Sequence, residues 1–298
     1  MWTVFADYVL RPMTPGDVPA MERVADEALR HLDRRTHAPG RPADAATGQE
    51  SARRRERLAH LLHSDPRGCW VAEDRGGILG GAVSMKRDLT WLLSTYAVRP
   101  GVQGRGVGRQ VLDVALGYGS GCLRGMVAVP EDPAAGRRCR LAGFALHPVM
   151  RLTGSVVRAT LPVVEQVREG SAGDVDLLNS VDRQVRDSAH GVDHELLTRS
   201  YRLLVVDRFA GSGYAYVAPA GGTYLLAATS RRAATELLWE ALAASSPDTP
   251  VTVDHVTASN DWAVDVGLTC RLSLGTHGYL ALRGMKPPTT YLHSAHFL

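Results

Sequence analysis

The amino-acid sequence predicts a mixed α/β fold, and three observations lead to that prediction. Short apolar runs with the length of buried strands alternate with segments whose apolar residues recur at helical spacing. The length of 298 residues suits two domains better than one. A content of 45% hydrophobic residues with 30 glycines is typical of a globular α/β protein.

The first quarter of the chain predicts a strand, a helix and a hairpin. Residues 8–21 pass from an apolar run through Pro and Gly into a helical pattern, in which Thr14 and Asp17 are both candidate caps. Residues 69–74 and 78–85 are strand-like runs on either side of Arg-Gly-Gly, and this arrangement predicts a hairpin.

The most informative segment runs from a strand through a glycine-rich turn into a helix. Residues 91–98 form an apolar run typical of a buried strand, and residues 110–116 carry apolar side chains at helical spacing. The turn at residues 103–109 alternates glycine with other residues, so a ligand can approach its backbone closely. Such a turn directs several N–H groups and the positive end of a helix dipole at one point, which suits a pyrophosphate.

Several kinds of nucleotide-binding turn are candidates for this segment. A P-loop is excluded because no lysine follows the glycines. The dinucleotide motif Gly-x-Gly-x-x-Gly does not fit the spacing, and no acidic ribose partner is evident. The pattern Gln103-x-x-Gly106-x-Gly108 after a strand instead resembles the acyl-CoA loop of the GCN5-related N-acetyltransferases, which is Arg/Gln-x-x-Gly-x-Gly/Ala. A glycine-rich turn that binds no ligand is the remaining alternative.

This resemblance covers residues 8 to about 160 and implies a mostly antiparallel sheet flanked by helices, with acetyl-CoA as co-substrate. Residues 125–129 resemble the strand that diverges from the cofactor strand, and residues 132–144 resemble the family's later helix, which ends in Gly-Phe. In the family, the pantetheine arm hydrogen-bonds to the backbone of the strand before the loop. The resemblance therefore assigns acetyl-CoA binding to Ala97, Val98, Gln103, Gly104, Arg105, Gly106, Val107, Gly108, Arg109 and Asp132.

Two positions depart from the family's pattern. Asp132 stands where the family often has an asparagine that contacts pantetheine. Cys139 stands where it often has a tyrosine that protonates the leaving CoA thiolate. A thiol, with an ordinary pKa of about 8.5, is a candidate proton donor. The alternative is that Cys139 is a small apolar residue on a helix face.

The sequence does not fix a general base for the substrate ammonium. One candidate is Tyr96, near the end of the cofactor strand. Another is the carboxylate of Leu298, if the aromatic tail 291–298 docks in the cleft after a stiff Pro-Pro spacer. The predicted catalytic residues are therefore Tyr96, Cys139 and Leu298. Further candidates, each also explained as an ordinary surface or hydrogen-bonding residue, are Glu73, Asp88, His190, Asp193 and His194.

The second half of the chain repeats the element order of the first but lacks the glycine-rich turn. Only Ser230-Arg231 separates the apolar strand 224–229 from the helix 232–242. A connection of this length is too short to wrap a pyrophosphate. We therefore expect residues 1–162 to form a GNAT N-acetyltransferase domain with the acetyl-CoA site. Residues 163–298 are expected to form a degenerate GNAT-like domain without CoA, and an unrelated α/β domain is the alternative.

Composition limits the partners and the location. The net charge of +3 is too small to indicate nucleic acid, and no apolar run reaches the ~18 residues that cross a membrane. The N-terminal residues lack the pattern of a signal peptide, and the four cysteines form no Cys-x-x-Cys pair, which favours free thiols in the cytoplasm. No metal site is expected, and the oligomeric state, a homodimer included, stays open.

We expect an acetyl-CoA-dependent N-acetyltransferase that transfers the acetyl group directly to a primary amine of a small molecule or a peptide N-terminus. Since the amine attacks the thioester directly, the main contribution of the enzyme is positioning. A non-catalytic acyl-CoA-binding sensor is the alternative, and transfer of a longer acyl group is left open. The polar stretch 31–50 is expected to be a loop, either a lid over the acceptor or an ordinary surface loop.

Overall fold

The computed structural model describes residues 3–4, 7–36, 48–246 and 249–298. The contacts between residues divide the chain into two compact units, residues 1–123 and residues 124–298. We call them unit 1 and unit 2. The division expected from the sequence, after residue 162, falls inside unit 2 and stays a prediction.

Unit 1 is an antiparallel sheet with helices packed on it. Its helices α1 and α3 both pack against β4, the longest strand, whose side chains are buried along almost its whole length. The predicted hairpin is confirmed, because β3 pairs with β4 around Arg75-Gly76. The strands, in sheet order, are β1 (Thr3–Val4), β2 (Val9–Pro12), β3 (Cys69–Asp74), β4 (Gly77–Arg87) and β5 (Thr90–Val98); the helices are α1 (Val18–Thr36), α2 (Gly48–Ser64) and α3 (Val107–Tyr118).

The polar stretch 31–50 differs from the expected loop. The expectation is wrong at both ends, because α1 continues to Thr36 and α2 begins at Gly48. Arg34 and Arg35 lie in the last turn of α1, where positive charge interacts favourably with the helix dipole. Residues 37–47 lie outside the described residues, so the proposed lid is not tested.

Unit 2 contains two antiparallel sheets. The first has the order β6-β13-β7-β12, and the second has the order β14-β11-β10-β9-β8. The strands are β6 (Arg124–Val129), β7 (Ala145–Gly154), β8 (Arg168–Glu169), β9 (Arg202–Val206), β10 (Gly213–Val217), β11 (Thr223–Ala228), β12 (Val251–Thr257), β13 (Ser273–Arg283) and β14 (Tyr291–Leu292). The helices are α4 (Pro133–Leu141), α5 (Val175–Arg186), α6 (Asp193–Ser200), α7 (Arg231–Ala243) and α8 (Asp261–Thr269).

Strand β13 joins distant parts of the sequence within unit 2. Leu280 pairs with Ala128 of β6 on one side and with His147 of β7 on the other. A boundary after residue 162 therefore cuts a continuous sheet. Hydrophobic periodicity cannot reveal such a pairing, because it reports the face of a strand and not its neighbours.

The core of unit 2 lies between its helices and its sheets. Helix α7 packs against β10 and β11, and α8 packs against β12 and β13. Leu237, Leu238 and Trp262 are almost completely buried there, and a fully buried side chain of this kind contributes roughly 1.5–3 kcal/mol. These layers confirm the predicted mixed α/β fold with mostly antiparallel sheets. Among the described residues, no helix combines the length and apolar character that crossing a membrane requires.

Candidate functional site

The glycine-rich turn of unit 1 adopts a backbone conformation that requires glycine. Strand β5 is followed by a short 3₁₀ turn, and α3 then begins with Gly106 as its N-cap. Gly104 and Gly106 have φ values of +82° and +89°, in the left-handed region that side chains disfavour. A Cβ atom on either residue would meet no other atom within 4 Å. These two glycines are therefore explained by backbone conformation and not by crowding.

The turn presents a group of backbone donors at the start of α3. The helix ladder begins with the bond from Gln110 N to Gly106 O, at 3.2 Å. Within the described part of the chain, no protein group accepts a hydrogen bond from the amides of residues 104–108. Arg105 and Arg109 are exposed beside them. Free amides, the helix dipole and two cations together form an arrangement that can bind an anion.

Gln103 connects the turn to the end of β5. Its side-chain amide donates to the main-chain oxygen of Val98, at 3.0 Å. That oxygen belongs to the residue for which the resemblance implies a contact with pantetheine. Gln103 thus has a structural contact within unit 1, in addition to the ligand contact expected from the sequence.

Gly108 differs from Gly104 and Gly106 because neighbouring side chains occupy the space where its Cβ atom would lie. A Cβ atom there would lie 2.5 Å from the hydroxyl oxygen of Tyr96 and 3.3 Å from Cγ2 of Val98. The predicted catalytic residue Tyr96 therefore reaches from β5 to the first turn of α3. This contact between a strand and a helix leaves no local signal in the sequence, where Gly108 was explained by ligand approach alone.

Two other predicted site residues belong to α4 of unit 2 and to its N-cap. Asp132 is the N-cap, and its carboxylate accepts from the amide of Ala134 at 3.1 Å. Cys139 is buried on α4, and burial raises the pKa of its thiol to about 11. The thiol therefore holds its proton at neutral pH. This state fits both the predicted proton donor and the simpler apolar helix residue.

The predicted base Leu298 lies in the interior of unit 2. Its side chain is fully buried, and its main-chain oxygen accepts a hydrogen bond from Arg186 Nη1. A guanidinium stabilises negative charge on its partner and so weakens that partner as a base. The tail before it is also packed, because Tyr291 and Leu292 form β14 at the edge of the second sheet. These contacts favour a structural role for the tail.

Four of the five further candidate bases have a local partner or are buried, and the fifth, Asp88, is exposed in the turn between β4 and β5. The carboxylate of Glu73 accepts from Arg11 Nε at 2.7 Å. His190, Asp193 and His194 are completely buried in unit 2, and both histidines contact Asp182. None of these last four groups is an open base of the kind that a substrate ammonium requires.

Comparison with known proteins identifies the fold of these elements. Residues 27–144 match the model described as the acetyltransferase (GNAT) family. A putative acetyltransferase from Pyrococcus horikoshii is similar in structure, with a TM-score of 0.74 at 18% identity over 99% of this chain and 96% of that one. No curated protein sequence matches the chain.

Two further solved structures share the fold at lower similarity. A GCN5-related N-acetyltransferase from Kribbella flavida has a TM-score of 0.58 at 15% identity, over 92% of this chain and 70% of that one. A tandem GNAT protein from the clavulanic acid biosynthesis pathway has a TM-score of 0.56 at 13% identity, over 94% and 99%. The family match contains β3 to α3 with the whole glycine-rich turn. Residues 27–144 are therefore similar to an acetyltransferase (GNAT) domain, and the members of that family use acetyl-CoA as co-substrate.

Proposed function

We propose that the chain is an acetyl-CoA-dependent N-acetyltransferase that acts on a primary amine of a small molecule or a peptide N-terminus. The observation that carries this proposal is the turn at residues 103–108. Two glycines with positive φ leave the amides at the start of α3 without protein acceptors among the described residues. Donors in this arrangement suit the diphosphate of CoA.

The proposed reaction is a direct acyl transfer. The amine nitrogen forms a bond to the thioester carbonyl carbon, and the carbon–sulfur bond breaks. The amine loses a proton, and the CoA thiolate gains one. Because no covalent enzyme intermediate is needed, holding the two reactants in position supplies most of the rate enhancement. The residues proposed to hold acetyl-CoA are Ala97, Val98, Gln103, Gly104, Arg105, Gly106, Val107, Gly108, Arg109 and Asp132.

Cys139 is the proposed proton donor to the thiolate. Its burial keeps the thiol protonated, which a donor requires, although a pKa of about 11 makes it a weak acid. The two-domain division at residues 162 and 163 is part of the same proposal, with a second domain that binds no CoA. The four cysteines have no disulfide partner, which supports a cytoplasmic location.

A non-catalytic acyl-CoA sensor is the second candidate. The surroundings of three candidate bases favour this alternative. The carboxylate of Glu73 is bound by Arg11, and His190 and His194 are buried. The two candidates differ in turnover and not in binding. An enzyme releases free CoA when a suitable amine is present, whereas a sensor binds acetyl-CoA and leaves it intact.

The experiment combines a thermal-shift measurement with an assay of thiol release. The purified chain is incubated with acetyl-CoA and a panel of primary amines, from polyamines and amino sugars to short peptides. Stabilisation by acetyl-CoA together with amine-dependent thiol release supports the enzyme. Stabilisation without release on any amine supports the sensor. The absence of stabilisation contradicts both.

A further inference from the structure

A fully buried polar cluster in unit 2 has no place in the proposed acetyl transfer. Asp182 lies on α5, His190 follows α5, and His194 lies in the first turn of α6. All three residues are 0% exposed, and one potential ligand atom from each lies within 4.8 Å of the other two. Buried groups of this polarity are costly unless they interact with one another, and here both histidines contact Asp182.

We propose that Asp182, His190 and His194 bind one divalent transition-metal ion of the zinc type. Oδ2 of Asp182 lies 2.7 Å from Nδ1 of His190 and 3.1 Å from Nε2 of His194. Ligands at ~2.0–2.1 Å from a tetrahedral zinc ion are separated by roughly 3.3 Å. The three atoms therefore surround one point, and a small outward movement admits an ion.

The number of hydrogen-bond donors around one carboxylate oxygen favours a bound metal ion over a hydrogen-bond network without metal. Oδ2 of Asp182 faces the amide nitrogen of His190 at 3.0 Å in addition to the two imidazole nitrogens. A carboxylate oxygen has two lone pairs, so three N–H donors are more than it accommodates well. If one metal ion replaces the two imidazole protons, Oδ2 keeps the amide of His190 as a donor and binds the ion with its other lone pair.

The surrounding contacts have the pattern of an outer coordination shell. The hydroxyl of Tyr214 donates to Oδ1 of Asp182 at 2.5 Å, which leaves Oδ2 for the ion. The other ring nitrogen of His194, Nδ1, lies 3.0 Å from the hydroxyl of Tyr216. Metal-binding histidines usually engage their second ring nitrogen in this way. The Tyr214 oxygen also lies 3.3 Å from Nδ1 of His190, so it contacts two of the three proposed ligand residues.

The donor types select the class of ion. Two imidazole nitrogens and one carboxylate oxygen form a set that zinc and similar transition metals prefer. Magnesium and calcium prefer oxygen ligands alone, so neither is expected to bind.

The charge of Arg186 opposes the ion and sets a limit on its affinity. Arg186 follows Asp182 by one turn of α5 and is almost completely buried. Its Nη1 atom donates to the main-chain oxygen of Leu298. A buried cation near the site raises the cost of a second one. We therefore expect weaker binding than at a zinc site without a neighbouring arginine.

The test measures metal binding by the full chain. Protein dialysed against a chelator is expected to bind one equivalent of Zn²⁺, with Tm raised by at least about 3 °C. Co²⁺ is expected to give the intense visible bands of tetrahedral coordination. His194→Gln is expected to weaken Zn²⁺ binding at least about tenfold. The matched control is His63→Gln, an exposed histidine of α2 in unit 1, and it is expected to bind as the unaltered chain does.

Clear results overturn the proposal. If less than about 0.1 equivalent of Zn²⁺ binds and no Co²⁺ bands appear, then Asp182 and the two histidines form a hydrogen-bonded cluster that binds no metal. Equal loss of Zn²⁺ binding in both variants places the ion elsewhere. If His194→Gln does not fold, the Co²⁺ spectrum of the unaltered chain decides alone. The outcome is independent of acetyl transfer, because none of the three ligands belongs to the proposed acetyl-CoA site.

Discussion

The hydroxyl of Tyr96 occupies the space that a Cβ atom on Gly108 would need, at a distance of 2.5 Å. Tyr96 belongs to β5 and Gly108 to the first turn of α3, so the contact packs the strand against the helix. The alternating glycines of the turn therefore have two different tasks. Gly104 and Gly106 permit the backbone conformation, whereas Gly108 makes room for a tyrosine.

The first prediction concerns this contact. Gly108→Ala is expected to lower the free energy of unfolding by roughly 1–3 kcal/mol, because the new methyl group overlaps the Tyr96 oxygen. The next ring atom, Cζ, lies 3.5 Å from the Cβ position, an ordinary contact distance. Tyr96→Phe in the same chain is therefore expected to recover at least half of the loss. Urea denaturation of the single and double variants measures the coupling.

A strictly additive result contradicts the explanation. In that case the Tyr96 oxygen is not what Gly108 avoids, and the glycine is needed for ligand approach alone. Acetyl-CoA binding by the double variant then separates the two roles, since ligand approach is blocked by the methyl group whichever residue stands at position 96.

The second prediction concerns backbone conformation in the same turn. Gly106→Ala is expected to destabilise the chain by about 1–2 kcal/mol, because alanine disfavours a φ of +89°. Gly117→Ala is the matched control, since Gly117 lies on α3 with equally open space and no positive φ. That variant is expected to gain roughly 0.5–1 kcal/mol from helix propensity. Thermal unfolding measures the stability of the two variants. If both variants change stability in the same direction, the conformational role of Gly106 is excluded.

The third prediction concerns cysteine reactivity. Alkylating reagents attack the thiolate, and burial raises the pKa of Cys139 to about 11 and that of Cys69 to about 12. Cys122 is the more accessible thiol. At pH 8, iodoacetamide followed by peptide mass spectrometry is expected to label Cys122 at least about tenfold faster than Cys139. Preferential labelling of Cys139 would mean that its thiol is neither buried nor weakly acidic.

The fourth prediction concerns pH and the buried carboxylate of Asp17. Its hydrogen bonds from Arg11, at 2.7 and 2.9 Å, lower its pKa from 3.8 to about 2. A carboxyl group with a lowered folded-state pKa stabilises the chain above the unfolded value, and this contribution is lost as the pH falls towards 2. Asp17→Asn is expected to cost roughly 1–2 kcal/mol at pH 7 and progressively less below pH 4.

Urea denaturation between pH 7 and pH 2.5 measures this difference. The control is Asp113→Asn, which removes an exposed carboxylate of α3 that lies 3.6 Å from Nε of Arg109. A surface pair of this kind contributes little, so the control is expected to change stability by less than about 0.5 kcal/mol. A penalty for Asp17→Asn that does not decrease at low pH would contradict the ion pair with Arg11.

Local structure was predictable where neighbouring residues determine it. The expected strand over residues 91–98 is β5, and the expected helix over residues 110–116 lies within α3. Helix α3 begins three residues earlier than expected, since the left-handed Gly106 ends the turn and the helix starts at once. Capping by Asp132 also follows from local chemistry.

Contacts between distant residues were not predictable in the same way. The position of β13 between β6 and β7 depends on strand pairing that no local pattern encodes. His190 and His194 were expected among surface or ordinary hydrogen-bonding residues, because polar residues are mostly exposed. Their complete burial follows from the folding of α5 and α6 onto the tyrosines of β10, which the sequence does not reveal.

A calorimetric titration of CoA into the full chain, into Gly106→Glu and into Gly117→Ala tests the central claim most directly. We expect one CoA site in the unaltered chain, the same affinity in Gly117→Ala, and at least about a hundredfold weaker binding in Gly106→Glu, where a carboxylate meets the diphosphate. Equal affinity in all three proteins, or no binding by the unaltered chain, would contradict the claim that the amides at the start of α3 hold the cofactor.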